Sequence, residues 1–193
     1  SPEMTTALSV GDASAVLAAA GGVTKFREAV IAGTAACLSL SDPTYPWMVV
    51  NKQRSYNPID YTPSLAWVDG IQNLAEAQLR WDAAGALTQL AAGAAAAGVG
   101  DLGLLSGYRS YSTQQATYGD GGEEIEASVA RPGFSEHQSG LAADVVACDY
   151  GSCGSLDDFG ATAQGQWVAA NAWQYGWIVR YEAEMTGVTG YIP

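Results

Sequence analysis

The sequence predicts an α+β fold, a small antiparallel sheet packed with helices. Three observations carry that expectation. Short apolar runs at residues 102–107, 141–147 and 177–181 have the length of strands. Apolar residues at helical spacing recur within residues 65–97 and 162–175. The two patterns mix without the regular strand–helix–strand rhythm of a parallel sheet.

Taken in order, residues 1–40 are rich in Ala, Gly, Ser and Thr and read as a helical lead-in, with short helices near 15–20 and 26–32. Residues 41–193 then form the main domain. Pro43, Pro46, Pro58 and Pro63 crowd residues 41–64 and mark a loop, with one short strand expected at 47–51. Residues 65–97 read as helix, because Leu79, Ala83, Leu87, Leu90 and Ala94 share one face and Gly98 and Gly100 can end it. Core packing is the reading of that stripe. Residues 102–107 are a strand, 110–118 a helix, and 119–124 a Gly-rich acidic loop. Residues 141–147 and 177–181 are the further strands, with helix over 162–175 between them.

Composition excludes some functions. Eight Lys and Arg face twenty Asp and Glu, a formal net charge of −12. So acidic a chain has no general footprint for nucleic acid or for an anionic membrane. Its apolar runs fall short of the roughly 20 residues a membrane-spanning helix needs. The opening Ser1-Pro2-Glu3-Met4 is compatible with a processed start, so membrane contact is expected only through an anchor already removed. A monomer is expected.

Cys148 and Cys153 flank a short loop containing a glycine. They form either a disulfide or two free thiols, and an oxidising compartment favours the disulfide. No second Cys or His pair accompanies them as a zinc site requires. The state of Cys37 is not legible.

His137 is the only histidine in the chain, and Asp144 follows seven residues later on an apolar run. A histidine on a loop and an aspartate on the strand it feeds can converge on one metal, and Gly140 permits the turn between them. A buried carboxylate also demands a partner. By spacing alone, a hydrogen-bonded surface pair remains the commoner arrangement. Arg109 ends the apolar run at 102–107. Its guanidinium could clamp a carboxylate in bidentate fashion, or pair with one of the many acids. Gln114 lies about one turn beyond.

Ser-Gly-Tyr-Arg-Ser at 106–110 with Gln114, and Ala-Arg-Pro-Gly-Phe-Ser-Glu-His-Gln-Ser-Gly-Leu-Ala-Ala-Asp at 130–144, resemble the signature of the VanY-type D-alanyl-D-alanine carboxypeptidases. Further matches are Val50-Asn51-Lys52, Phe159-Gly160 with Thr162, Gly165-Gln166-Trp167, Asn171-Ala172-Trp173, Tyr175-Gly176-Trp177 and Arg180-Tyr181, so the resemblance covers about residues 48–193. It implies a zinc metallopeptidase of the Hedgehog/DD-peptidase fold. His137 and Asp144 would be two zinc ligands. Arg109 would contact substrate and stabilise developing negative charge. Gln114 and Ser135 would line the substrate pocket. The partner implied is a peptidoglycan stem peptide ending in D-alanine, which places the protein outside the cytoplasm, in the bacterial cell envelope.

The family's glutamate base and third zinc ligand follow a Thr-Gly-Tyr segment, matched here by Thr189-Gly190-Tyr191. Both are therefore expected just past Pro193. Glu182 and Glu184 match a variable loop instead. A longer natural chain is the leading expectation. A non-catalytic wall-binding relative and a site completed by a neighbouring molecule are the alternatives. The same fold also serves D,D-dipeptidases, L,D-carboxypeptidases and endopeptidases of the stem, and the motifs do not separate these.

Overall fold

The computed structural model describes residues 1–10, 13–32, 34–45, 48–121, 123–149 and 151–180. It opens with three short helices, α1 (Pro2–Val10), α2 (Ala13–Ala19) and α3 (Val23–Ile31), as the lead-in composition predicts. The proline-rich stretch that follows is irregular. Residues 48–50 lie outside any strand, and Asn51 forms only an isolated bridge with Arg54. The strand expected at 47–51 is thus not formed over its described part, and Trp47 lies outside the described residues.

The expectation of helix over 65–97 holds only for its second half. Three strands precede the helix: β1 (Leu65–Trp67), β2 (Gln72–Asn73) and β3 (Gln78–Arg80). The physical reason is local. Asp69-Gly70 turns the chain, with Gly70 at φ 69°, and Glu76 takes φ 50°. Asn73 then satisfies the backbone of Ala77 from its side chain: Oδ1 accepts from the Ala77 N–H at 2.8 Å and Nδ2 donates to the Ala77 carbonyl at 2.7 Å. These bonds take the place of a helical ladder. Helix α4 (Trp81–Ala96) begins only after β3. Its buried face carries Ala83, Leu87, Leu90 and Ala94 of the predicted stripe, with Ala84 and Ala91 buried beside them. Leu79 belongs to the same core but reaches it from β3.

Strand β4 (Asp101–Ser106) forms where expected, and helix α5 (Tyr111–Tyr118) follows, capped by Ser110 Oγ accepting from the Thr113 N–H at 3.0 Å. The acidic loop is shorter than predicted, because α6 (Glu123–Ser128) starts within it. Strand β5 is Asp144–Asp149, three residues later than the apolar run suggested. Residues 141–143 leave the ladder because the turn before them reaches forward: Ser139 Oγ accepts the Leu141 N–H at 3.0 Å. A two-residue strand β6 (Ser152–Cys153) and helix α7 (Ala163–Asn171) are the last strand and α-helix among the described residues, with a one-turn 3-10 extension at Ala172–Tyr175. Trp177–Arg180 is not a strand, since no described strand pairs with it. Tyr181 lies outside the described residues.

The main sheet runs β2-β4-β5-β6. It is antiparallel at β4–β5 and β5–β6, while the short β2 runs parallel to β4. β1 and β3 form a separate antiparallel pair. Between the sheet and helices α4 and α7 lies one core, including Leu79, Leu87, Leu90, Leu102, Leu104 and Val168. Each such side chain removed from water contributes about 1.5–3 kcal/mol. Cys148 and Cys153, opposite each other in the β5–β6 register, are joined as a disulfide. The bridge lies over Gly103 of β4, where a Cβ would stand 2.5 Å from Cys148 Sγ, so only glycine fits beneath it. Cys37 is free and exposed.

Candidate active site

Register brings two distant sequence segments to one end of the sheet. Ser106, the last residue of β4, pairs with Asp144, the first of β5. The loop after β4 carries Arg109, and the turn before β5 carries His137. That turn is a single 3-10 turn, Glu136–Ser139, ending at Gly140 in the left-handed region with φ 69°. A Cβ at Gly140 would lie 2.7 Å from the backbone nitrogen of Arg80. Arg80 uses that nitrogen to donate to the Gly140 carbonyl at 2.9 Å. The glycine therefore serves both backbone angle and close approach. Arg80 itself is engaged with Asp82 through Nε and Nη2, each at 2.7 Å, which holds the Asp82 carboxyl below its ordinary range.

The ring of His137 is oriented from behind. Nδ1 lies 2.7 Å from the Gly107 carbonyl oxygen. A carbonyl can only accept, so Nδ1 carries the hydrogen and the neutral ring presents the Nε2 lone pair on its other side. Nε2 stands 3.5 Å from Asp144 Oδ2, and both side chains are partly buried. That separation exceeds the roughly 2.7–3.2 Å of an N–H···O hydrogen bond. It matches the spacing of two ligand atoms on a tetrahedral zinc, about 3.3–3.6 Å for bonds of about 2.0–2.2 Å. Anchoring the ligand ring through its far nitrogen is also how metal-binding histidines are usually held. The pair thus fits two positions of a zinc site. Among the described residues no group of three or more His, Cys, Asp and Glu gathers for a metal. Glu182 and Glu184 lie outside the described residues.

Arg109 is coupled to the same turn. Its backbone N–H donates to the His137 carbonyl at 3.2 Å. Its guanidinium Nη1 donates to Gln114 Oε1 at 3.2 Å. Gln114, only 1% exposed, donates in turn from Nε2 to the Ala130 carbonyl at 2.6 Å. Gln114 therefore braces Arg109 with one end and the segment leading to the His137 turn with the other. Ser135 is buried at the entry to that turn, and its carbonyl accepts from the Tyr56 hydroxyl at 2.9 Å. Burial raises the Tyr56 phenol well above its usual value of 10.0.

Contacts thus link Arg109, Gln114, His137 and Asp144, and Ser135 immediately precedes the turn that carries His137. Sequence reasoning missed the supports. Tyr56 sits in a proline-rich loop with no motif around it. Gln138, fully buried, donates from Nε2 to the carbonyls of Ile59 at 2.7 Å and Tyr61 at 3.2 Å. Glu136 pairs with Arg180 Nε at 3.0 Å. The scarcity of basic residues and the Arg180-Tyr181 match both pointed to Arg180, but neither named Glu136 as its partner.

Residues 76–192, more than half of the chain, match the VanY family, described as D-alanyl-D-alanine carboxypeptidase. YodJ of Bacillus subtilis, named as a carboxypeptidase, is 34% identical over 164 residues, covering 79% of this chain and 59% of its own length. A D-alanyl-D-alanine carboxypeptidase of Enterococcus faecium is 40% identical over 94 residues, 48% of this chain and 27% of the relative. The chain therefore spans well under two thirds of both relatives. Among solved structures, the LdcB LD-carboxypeptidase superposes with a TM-score of 0.70 at 35% identity, covering 78% of this chain and 73% of that one. The D,D-pentapeptidase VanY of a VanB-type resistance cassette, solved with Zn(II), gives a TM-score of 0.57 at 28% identity over 75% of this chain and 81% of its own. VanYB in complex with D-alanine-D-alanine gives 0.55 at 30% identity, over 75% and 80%. The family match runs through both the Arg109 loop and the His137–Asp144 turn, and the chain belongs to the VanY D-alanyl-D-alanine carboxypeptidase family.

Proposed function

We propose that this chain is the zinc-dependent part of a carboxypeptidase that removes the terminal D-alanine from peptidoglycan stem peptides. The observation that carries the reading is the 3.5 Å spacing of His137 Nε2 and Asp144 Oδ2, with the ring held from Gly107. A zinc ion held there would act as a Lewis acid toward the scissile carbonyl and the attacking water. Arg109, braced by Gln114, is suited to the negative charge of the peptide: its guanidinium can take a terminal carboxylate or the charge developing at the cleaved carbonyl. Ser135 is assigned to the pocket beside it. The general base and the third zinc ligand are assigned to no described residue. The Cys148–Cys153 disulfide supports a location outside the cytoplasm, where peptidoglycan lies.

An L,D-carboxypeptidase is the second reading, favoured by the higher TM-score and identity of the LdcB comparison. The two are separated by incubating the full-length, zinc-loaded protein with stem pentapeptide ending in D-alanyl-D-alanine and with tetrapeptide ending in a single D-alanine. Release of D-alanine from the pentapeptide alone supports the D,D reading, and release from the tetrapeptide alone supports the L,D one. Release from neither would overturn both and leave a peptide-binding module.

A further inference from the structure

We propose that the Glu136–Arg180 ion pair is a positioning device for the candidate metal site, setting the turn that carries His137 against the chain that leaves α7. This rests on the zinc reading of His137 and Asp144 given above.

A lone 3-10 turn cannot hold its own geometry, because so few hydrogen bonds offset the entropy of fixing it. The Glu136–Ser139 turn is held instead by tethers to the rest of the fold. Ser135 is tied to Tyr56, His137 to Gly107, and Gln138 to Ile59 and Tyr61. All of these reach back to earlier parts of the chain. Glu136 reaches the other way, 44 residues forward, to Arg180. The contact is not a loose surface pair. The side chains are 17% and 33% exposed, and Nε meets Oε1 at 3.0 Å. A charge-assisted bond in so sheltered a place is stronger than a rim pair. Trp177, three residues before Arg180, packs against the core and donates its backbone N–H to the Ala172 carbonyl at 3.0 Å. With twenty acids competing for eight Lys and Arg, placing one arginine on the residue next to His137 is a selective use of a scarce group.

The pair acts through His137 rather than on substrate, so its test reads the imidazole. His137 is the only histidine of the 193 residues, so its ring nitrogen signals are unambiguous in this chain. Glu136→Gln, Arg180→Gln, the double variant and Arg180→Lys would be compared with the parent by ring nitrogen NMR. Zinc would then be titrated into the full-length protein and the same variants of it and followed by calorimetry, with the melting temperature recorded alongside. The parent is expected to show the Nδ1–H tautomer. Each single Gln variant should mix the tautomers and weaken zinc binding about tenfold, the lower end of what supports around a metal ligand cost. The double variant should lose no more than either single one, and Arg180→Lys should recover part of the loss. Unchanged ring signals and zinc affinity, even with a lowered melting temperature, would make the pair merely structural and overturn the inference. So would losses that multiply in the double variant. If the full-length parent takes up no zinc, the metal reading fails, while the tautomer spectra of the 193-residue chain still decide the positioning role.

Discussion

The carbonyl of Gly107 accepts a hydrogen bond from His137 Nδ1 across 2.7 Å, joining the loop after β4 to the turn before β5. The same loop returns a bond, from the Arg109 N–H to the His137 carbonyl. The metal side and the substrate side of the candidate site are therefore one hydrogen-bonded unit.

Removing either proposed ligand should abolish zinc binding by the full-length protein. His137→Ala and Asp144→Ala are expected to leave less than a tenth of the parent's metal content after dialysis, measured by elemental analysis, since zinc sites normally need three or four ligands. Arg109→Ala should instead spare the metal and lower turnover. Retained zinc in either ligand variant would show the assignment to be wrong.

Gln114→Ala should damage both stability and turnover. The substitution removes the donor to the half-buried Ala130 carbonyl and releases the Arg109 guanidinium. Losing such a hydrogen bond costs about 1 kcal/mol, readable as a lower urea midpoint. Turnover should fall further than stability explains, because the arginine loses its brace. A stable, fully active Gln114→Ala protein would contradict this.

The Tyr56 phenol predicts an alkaline limb in the stability profile. Burial holds its proton in the folded chain, whereas the unfolded chain releases it near the usual value of 10.0. Above about pH 10, unfolding therefore releases a proton, and stability declines by up to about 1.4 kcal/mol per pH unit until the folded-state phenol ionises. Below that pH the group adds no slope. Tyr56→Phe should remove this part of the slope and, by leaving the Ser135 carbonyl without its donor, cost about 1 kcal/mol at neutral pH. Denaturant melts across pH 8–11 on both proteins measure the difference.

Reduction should loosen β5 at the end remote from Asp144. The Cys148–Cys153 bridge closes a loop with a sequence separation of 5, worth about 2 kcal/mol in the chain-entropy account. Replacing both cysteines with alanine should lower the urea midpoint accordingly, and a reducing agent should then have no further effect. Because the bridge lies at the far end of the strand, zinc affinity should change little.

Much of this protein was legible in its residues. The α4 stripe, strand β4, helix α5 and the pairing of Cys148 with Cys153 depend on neighbours close in sequence, where periodicity and spacing carry the information. The segment before α4 was not, because Asn73 and Gly70 override the propensity of residues 65–80 through side-chain bonds and a left-handed turn that no periodicity reports. Residues 177–180 carry a strand's composition, but a strand exists only where a partner lies alongside, and none of the described strands does.

The sequence by itself determined which residues could do chemistry: a single histidine, an aspartate seven residues on, and an arginine in a chain poor in cations. The register of β4 on β5 decided that they meet, by pairing Ser106 with Asp144 across the sheet. Only the tertiary structure decided how they are held. Gly107, Tyr56 and Arg180 come from three separate stretches, and their roles rest on bonds to residues 30, 79 and 44 positions away in the chain. Such bonds leave no periodic trace, because their partners are set by the packing of the whole fold.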